Sequence, residues 1–173
     1  VAGRMLSLLP QMNEVRNHGT SDMEFAVSGL LARSQMANGQ PADARRTIEV
    51  LRECFAERGL TRFLPNMDAM LVRISLHTGD LDYADTWYRE KAPRDPMRVN
   101  VMKRYQYLTQ AMVELADGRP DAALLTLAPL EPYIQNCARI IDGIHLNVLT
   151  AIALYRKKDE RWRERLTAAL DAA

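Results

Sequence analysis

Residues 76–88 read Leu76-His-Thr-Gly-Asp-Leu-Asp-Tyr-Ala-Asp-Thr-Trp-Tyr88, which is typical of a helix end, a tight glycine turn and a new helix start. Similar phrases surround Gly39 and Gly118, and a degraded copy surrounds Lys158. The successive turn positions are separated by 40, 39 and 40 residues. A fixed period of this length indicates a solenoid of helical hairpins, in which each hairpin buries its apolar face against its neighbours.

The rest of the chain agrees with this helical interpretation. Apolar residues recur with the helical period of 3.6, and no segment shows the alternation that is typical of a strand. We therefore predict one all-α domain of antiparallel helical hairpins over residues 1–173. Its predicted parts are an incomplete hairpin over 1–19 and complete hairpins over 20–59, 60–92, 93–136 and 137–173.

Several helix boundaries are predicted from local signals. Ser21 with Glu24 three residues later forms a capping-box pattern, which predicts Ser21 as the N-cap of a helix that begins at about Asp22. A long helix is expected over 95–115, because an aspartate precedes a proline at its start. Pro129 and Pro132 are predicted to kink or interrupt the helix that follows, and Asn136 to cap the last long helix.

Alignment on the turn position shows small residues at two fixed places. Small residues at such places let neighbouring helix backbones approach closely, so these positions are predicted to be buried. The fourth copy departs from the pattern, since Lys158 replaces the glycine, and a polar outer face is typical of a terminal hairpin. Seven residues before the turn come Ala32, Val72, Ala111 and Ala151, and five residues after it come Ala44, Ala84, Ala123 and Arg163.

Composition argues against several functional classes. The net charge of +1 at pH 7 is too small for a domain that binds nucleic acid by neutralising phosphates. The two cysteines and three histidines are not at metal-ligand spacing, and no phosphate cradle or nucleophile elbow occurs. We therefore expect no enzymatic activity, no metal or cofactor, and no direct binding of nucleic acid.

The sequence also predicts a cytoplasmic location. No apolar run approaches the roughly 20 residues that a membrane-spanning helix needs, and the N-terminus lacks a signal-peptide pattern. The two cysteines fit buried, inert thiols in a reducing compartment. The start at Val1 rather than at Met is compatible with a fragment of a longer protein, or with trimming.

The repeat positions resemble the tetratricopeptide repeat, which has a small residue in its first helix, glycine at the turn and alanine five residues later. The resemblance implies a right-handed superhelix of antiparallel hairpins whose first helices line a concave groove. The period of 39–40 residues exceeds the usual length of about 34, so longer helices are expected here.

A closer resemblance covers residues 64–173 and rests on four phrases in order. It is to large LuxR-type bacterial transcription regulators like the maltose-regulon activator. The family has an ATPase module before its helical domain and a helix-turn-helix after it, and the helical domain binds an inducer or a regulatory protein. The phrases are Gly79-Asp-Leu-Asp-Tyr-Ala84, Asp95-Pro96, Tyr107-Leu-Thr-Gln-Ala-Met-Val-Glu-Leu-Ala-Asp-Gly-Arg119 and Ala151-Ile-Ala-Leu-Tyr155.

Carrying over the groove positions of tetratricopeptide repeats yields a set of candidate ligand contacts. Arg33 and Arg73 hold the same place in successive copies, so they are candidates for a cationic ladder that binds an anionic ligand or acidic peptide. Tyr105 is a candidate for stacking on a sugar or aromatic ring. The alternative is that these are ordinary solvated residues. The main candidates are Arg33, Asn66, Arg73, His77, Tyr105, Met112, His145 and Arg156, and the same count also includes the apolar Met36, Ala37, Ala69, Leu76, Leu108, Val148 and Ile152.

Two functional hypotheses follow. The first is an effector-sensing domain of a LuxR-type regulator, with a small-molecule inducer or regulatory protein in the groove and with flanking ATPase and helix-turn-helix modules in the parent chain. The second is a stand-alone peptide-binding adaptor with no transcriptional role. A purely structural spacer is a third alternative, and self-association through the apolar ends of the outer hairpins is a further expectation.

Overall fold

The structure is a computed structural model that describes residues 20–95, 99–100, 102–136 and 140–173. These residues form α-helices, a short 3-10 helix at Thr61–Phe63 and no strand, which confirms the all-α prediction. The helices are α1 (Ser21–Ala37), α2 (Pro41–Glu57), α3 (Leu64–Thr78), α4 (Leu81–Glu90), α5 (Arg104–Ala116), α6 (Pro120–Leu127), α7 (Leu130–Asn136), α8 (Ile140–Arg156) and α9 (Trp162–Asp171).

The helices pack mainly against their neighbours in the chain, as a tetratricopeptide-like repeat requires. The chain divides into two compact units between Asp80 and Leu81, and this division falls inside the predicted hairpin 60–92. In the first unit α2 packs against both α1 and α3. In the second unit α5 packs against α4 and α6, and α8 packs against α5, α6, α7 and α9. The predicted incomplete hairpin 1–19 lies outside the described residues.

Four turns at the repeat period share one backbone conformation. Gly39, Gly79, Gly118 and Lys158 all have positive φ, at 73°, 80°, 71° and 58°. In each turn the next residue donates its amide to the carbonyl five residues earlier, at 2.9, 2.9, 2.8 and 3.0 Å. This is the hydrogen bond of a Schellman motif, which satisfies a carbonyl at the helix end. The period read from the sequence is therefore a repeat of backbone geometry as well.

The small residues around the turns are buried as predicted. The positions seven before and five after the three glycine turns, together with Ala151, are each at most 5% exposed. Close packing of backbones explains this burial, because a larger side chain would force the helices apart. Arg163, which lies five residues after the fourth turn, is the exception and is exposed on α9.

The start of α1 differs from the prediction. The cap is Thr20, whose hydroxyl accepts a hydrogen bond from the Met23 amide at 3.4 Å, and Ser21 is already helical. Glu24 does not complete a capping box at Ser21. It is buried and accepts a hydrogen bond from Arg58 Nη1 at 2.7 Å, which raises the pKa of Arg58. The pairing of Glu24 with Arg58, 34 residues further along the chain, thus outweighs the local capping-box pattern.

The predicted long helix from Asp95 also begins later. Helix α5 starts at Arg104, and Val99 and Asn100 before it are not helical. The Asn100 side-chain oxygen accepts from the Met102 and Lys103 amides, at 3.0 and 2.9 Å. An asparagine side chain that binds nearby amides in this way favours a turn over a continued helix.

The end of the chain agrees with one local prediction and differs from another. Helix α6 ends at Leu127, two residues before Pro129, so the predicted interruption is confirmed. Asn136 was expected to cap the last long helix. It instead ends α7, and α8 begins at Ile140.

Candidate functional site

The two candidate arginines of the first unit follow one helix contact. At Gly29 of α1 an added Cβ would lie 3.2 Å from Cε of Met70 on α3, so the Met70 side chain packs against the α1 backbone there. Arg33 follows Gly29 by one helical turn, and Arg73 follows Met70 by about one turn. Two reversals of direction separate α1 from α3, so the helices run the same way. The structure therefore places both arginines just beyond the same contact.

The environments of these two arginines differ. Arg33 is exposed and makes no hydrogen bond or ion pair with any residue that the structure describes. Arg73 is half-buried and already interacts with neighbouring groups. On the same helix, the apolar side chains of Leu30, three residues before Arg33, and of Met23, nearly three turns before it, are 45% and 49% exposed. This surface combines an uncompensated positive charge with apolar area.

The other candidates of the first unit separate into exposed and buried residues. His77 is exposed in the last turn of α3, whereas Asn66 at the start of that helix is buried. Ala69 has no exposed surface, so its inclusion among the groove positions was wrong. Its position, like Gly29 in α1, faces a neighbouring helix and belongs to the core.

Tyr105 and His145 lie in the second unit on helices that pack against each other, α5 and α8. Both side chains are half-buried and have interaction partners. An ion pair between Arg104 and Asp142, with 2.5 Å from Nε to the carboxylate, joins the helices at this level. Tyr105 follows this arginine directly and His145 comes three residues after the aspartate, so the two candidates are near the same junction.

The remaining candidates of the second unit have mixed surroundings. Met112 on α5 is half-buried, and Leu108 is almost fully buried in the core, so its inclusion among the groove positions was wrong. Arg156 donates a hydrogen bond from Nη1 to the Leu115 carbonyl. This contact satisfies a carbonyl at the C-terminal end of α5, which is a structural use of the arginine.

A buried polar cluster of the second unit was missed by sequence reasoning. The carboxyl group of Glu114, 2% exposed, accepts on Oε1 from the Tyr88 hydroxyl, from Gln110 Nε2 and from the Thr126 hydroxyl, at 3.0, 3.0 and 3.1 Å. These donors come from α4, α5 and α6. The atoms Gln110 Oε1 and Glu114 Oε2 have no hydrogen-bond partner among the described residues. The only sequence signal was a glutamine and a glutamate four residues apart in an apolar helix.

Arg119 extends this cluster to the surface. Its guanidinium lies 4.5 Å from the centre of the Tyr88 ring and donates to the Tyr88 hydroxyl at 3.1 Å. That hydrogen bond, followed by one to Asp117, raises the pKa of Arg119. The stack of arginine on tyrosine fixes both side chains, because cation–π attraction adds to the hydrogen bond. The cluster thus joins α4, α5 and α6 through hydrogen bonds.

Within the described ranges, no group of three His, Cys, Asp or Glu side chains is placed to hold a metal ion. Across the same ranges, every helix is too short or too polar to pass through a bilayer.

The comparisons with known proteins agree with the repeat architecture. Neither the curated proteins nor the solved structures contain a match to the chain. The family model described as the MalT-like TPR region matches residues 10–173. This match includes all four turns, both units and every candidate residue above. Tetratricopeptide-like repeat domains are typically non-catalytic interaction modules. The chain therefore belongs to the family of MalT-like TPR regions, the helical repeat domains of MalT-like regulators.

Proposed function

We propose that this chain is the effector-sensing domain of a LuxR-type transcription regulator. A small-molecule inducer or a regulatory protein would bind to the first helices of its hairpins, and the flanking ATPase and helix-turn-helix modules of the parent chain would respond. The family match supports the regulator context. The observation that carries the sensing role is the exposed, uncompensated Arg33 just beyond the contact between α1 and α3.

The surroundings of Arg33 favour an anionic effector with an apolar part. A guanidinium binds a carboxylate or phosphate through two parallel hydrogen bonds, which gives both affinity and orientation. Met23 and Leu30 on the same helix provide exposed apolar area for the rest of the ligand. Arg73 would contribute a second cation from α3, at the cost of exchanging its present interactions.

The architecture provides a route by which binding could reach the flanking modules. Each hairpin of a helical repeat contacts mainly its neighbours, so a ligand that prefers one packing of α1 against α3 shifts the equilibrium of that interface. The Met70 side chain packs against the Gly29 backbone at this interface, so a change in the packing of α1 against α3 would be felt by both helices.

The test is a thermal-shift screen of this chain against anionic metabolites with an apolar moiety. A ligand at 100 times its Kd stabilises a protein by roughly 2.7 kcal/mol, which gives a measurable rise in Tm. We expect Arg33→Ala to abolish the shift. The matched control is Arg46→Ala, which removes an exposed arginine of α2 and should preserve the shift. Equal loss in both variants, or no shift with any anion, contradicts an anionic small-molecule effector at Arg33.

One observation also suits the second candidate function, a peptide-binding adaptor with no transcriptional role. The apolar and cationic surface of α1 fits an amphipathic acidic helix as well as it fits a small molecule. The parent gene discriminates between the two functions. A phosphate-binding loop encoded upstream and a helix-turn-helix encoded downstream support the regulator, and their absence supports the adaptor.

A further inference from the structure

A cleft of about 330 Å³ opens between α6, α8 and α9 in the second unit, and we call it the α6–α9 cleft. Its size falls at the small end of the roughly 300–1,000 Å³ of pockets that hold small molecules. The α8 side chains that line it are Leu146, Thr150 and Leu154, spaced by four residues on one face of the helix. None of the candidate groove residues lines it, so it is a separate site.

The floor of the cleft is apolar. Leu127 of α6 and Leu146 and Leu154 of α8 are buried, and Leu124 beside them is partly buried. These leucines are fixed by the packing of the second unit, since Leu127 and Leu146 belong to its main core cluster. A ligand with an apolar body would therefore contact a preformed surface and bury it from water.

Two arginines at the rim already have carboxylate partners. Arg165 binds Glu131 through Nη1 and Nη2, at 2.5 and 3.1 Å, and also donates to Asn147 at 3.3 Å. Arg161 binds Asp159 with a shortest distance of 2.6 Å. Each guanidinium is thus neutralised and held in place by its own partner, which leaves neither arginine available as an anion site without breaking an ion pair.

Two other polar side chains of the cleft are not held by hydrogen bonds or ion pairs to described residues. Thr150 and Glu164 make no hydrogen bond or ion pair with any residue that the structure describes. The charge of Glu164 acts on Arg161 and Arg165, yet Glu164 forms a hydrogen bond or ion pair with neither. Among the lining side chains, Glu164 is thus the charged group, and Thr150 the hydroxyl, without a hydrogen-bonded partner in the described part of the chain.

We propose that the α6–α9 cleft is a binding site for a small amine with an apolar body. The apolar part would lie on the leucine floor, the ammonium group would bind Glu164, and the Thr150 hydroxyl would accept a further N–H. A cation is favoured over an anion because each arginine already binds a carboxylate, Glu131 or Asp159, whereas the Glu164 carboxylate binds no cation among the described residues. This inference is independent of the effector at Arg33 and concerns other helices.

The test uses three probes that have a phenyl ring with a two-carbon side chain but differ in charge. They are 2-phenylethylamine, 2-phenylethanol and phenylacetate. Titrations of the ¹⁵N-labelled chain are followed by NMR, which locates the perturbed amides. We expect the amine to perturb α6, α8 and α9, and to bind at least about fivefold more tightly than the alcohol or the acid. Equal affinities for the three probes, perturbations elsewhere, or no binding at millimolar amine would overturn the proposal.

Variants of the chain test separately the contribution of the Glu164 charge and that of the cavity to amine binding. Glu164→Gln should weaken amine binding by about two- to fivefold, whereas Asp171→Asn removes a carboxylate of the same helix outside the cleft and should have no effect. Ala128→Phe places a ring into the cleft from an exposed position and should abolish binding. An unchanged affinity in Glu164→Gln or in a folded Ala128→Phe variant contradicts the assignment. If Ala128→Phe fails to fold, the amide map of the unaltered chain still decides the location.

Discussion

The turn at Gly118 and the turn at Lys158 have the same backbone but different side chains. Their φ angles are 71° and 58°, and their closing amide-to-carbonyl distances are 2.8 and 3.0 Å. Left-handed backbone costs a residue with a side chain roughly 1–2 kcal/mol, and glycine avoids this cost. The comparison teaches that glycine lowers the free energy of this turn without being required to form it.

The residues that follow the two turns differ more strongly. Ala123, five residues after Gly118, has no exposed surface, whereas Arg163 at the equivalent position is exposed and pairs with Glu160. Around Lys158 the chain is instead held by ion pairs, such as Asp159 with Arg161 at 2.6 Å. Exposed pairs of this kind contribute roughly 0–1 kcal/mol each, much less than a packed helix contact. The last turn should therefore tolerate changes that the third turn does not.

The largest expected difference concerns the position five residues after the turn. Ala123→Arg should destabilise the second unit by more than about 3 kcal/mol, because a long charged side chain would enter a fully buried site. Arg163→Ala should change stability by less than about 0.5 kcal/mol. Urea unfolding followed by tryptophan fluorescence measures this, since Trp87 and Trp162 are both in the second unit. Similar losses in the two variants would refute the contrast between the turns.

The second-largest expected effect is that of replacing the glycine of the third turn. Gly118→Ala should destabilise the second unit by about 1–2 kcal/mol through backbone strain alone, because no atom lies within 4 Å of an added Cβ. The same urea experiment measures the change. A loss much above this range would point to a steric contact that the structure does not contain.

The reverse substitution should stabilise the fourth turn. Lys158→Gly removes the strain of a left-handed lysine, but it also raises the conformational entropy of the unfolded chain, so a net gain of about 0.5–1 kcal/mol is expected. Lys157→Gly is the control, since Lys157 does not have positive φ, and it should not stabilise. A destabilised Lys158→Gly variant would show that the lysine side chain stabilises the turn.

The smallest expected effect is a pH dependence of the fourth turn. Hydrogen bonds from Arg161 lower the pKa of Asp159 from 3.8 to about 2. Because the native pKa lies below the unfolded one, the stabilisation is complete above about pH 5 and is lost as the pH falls through about 2. The difference in urea midpoint between the unaltered chain and Asp159→Asn should shrink over this window. If the difference in urea midpoint stays constant down to pH 2, the ion pair between Asp159 and Arg161 is not its source.

Much of the architecture could be predicted from the sequence, and the exceptions have a common cause. The turn at Gly79 and the burial of Ala44 and Ala123 depend on local sterics and on a regular period, so the sequence alone reveals them. The cap at Thr20 and the late start of α5 at Arg104 do not, because long-range and loop contacts compete there with the local signals.

The candidate site could be predicted only in outline. Counting from the turns identified Arg33 as an exposed cation, but it also selected Ala69, which is buried in the core. A difference of a few residues rotates a position around the helix, and only packing reveals which face meets a neighbour. The α6–α9 cleft had no sequence signal, since residues from four helices, α6, α7, α8 and α9, contribute to its lining.

The amino-acid sequence by itself determined where the helices turn, how often they do so and which small residues lie between them. These features depend on the backbone sterics of single residues and on the 3.6-residue period of a helix. The tertiary structure decided which polar groups are paired. Glu24 with Arg58 and Glu114 with Tyr88 join residues 34 and 26 positions apart, whereas Thr150 and Glu164 in the cleft form no hydrogen bond or ion pair with a described residue. The reason is that the free energy of a buried or paired polar group depends on neighbours that distant parts of the chain supply.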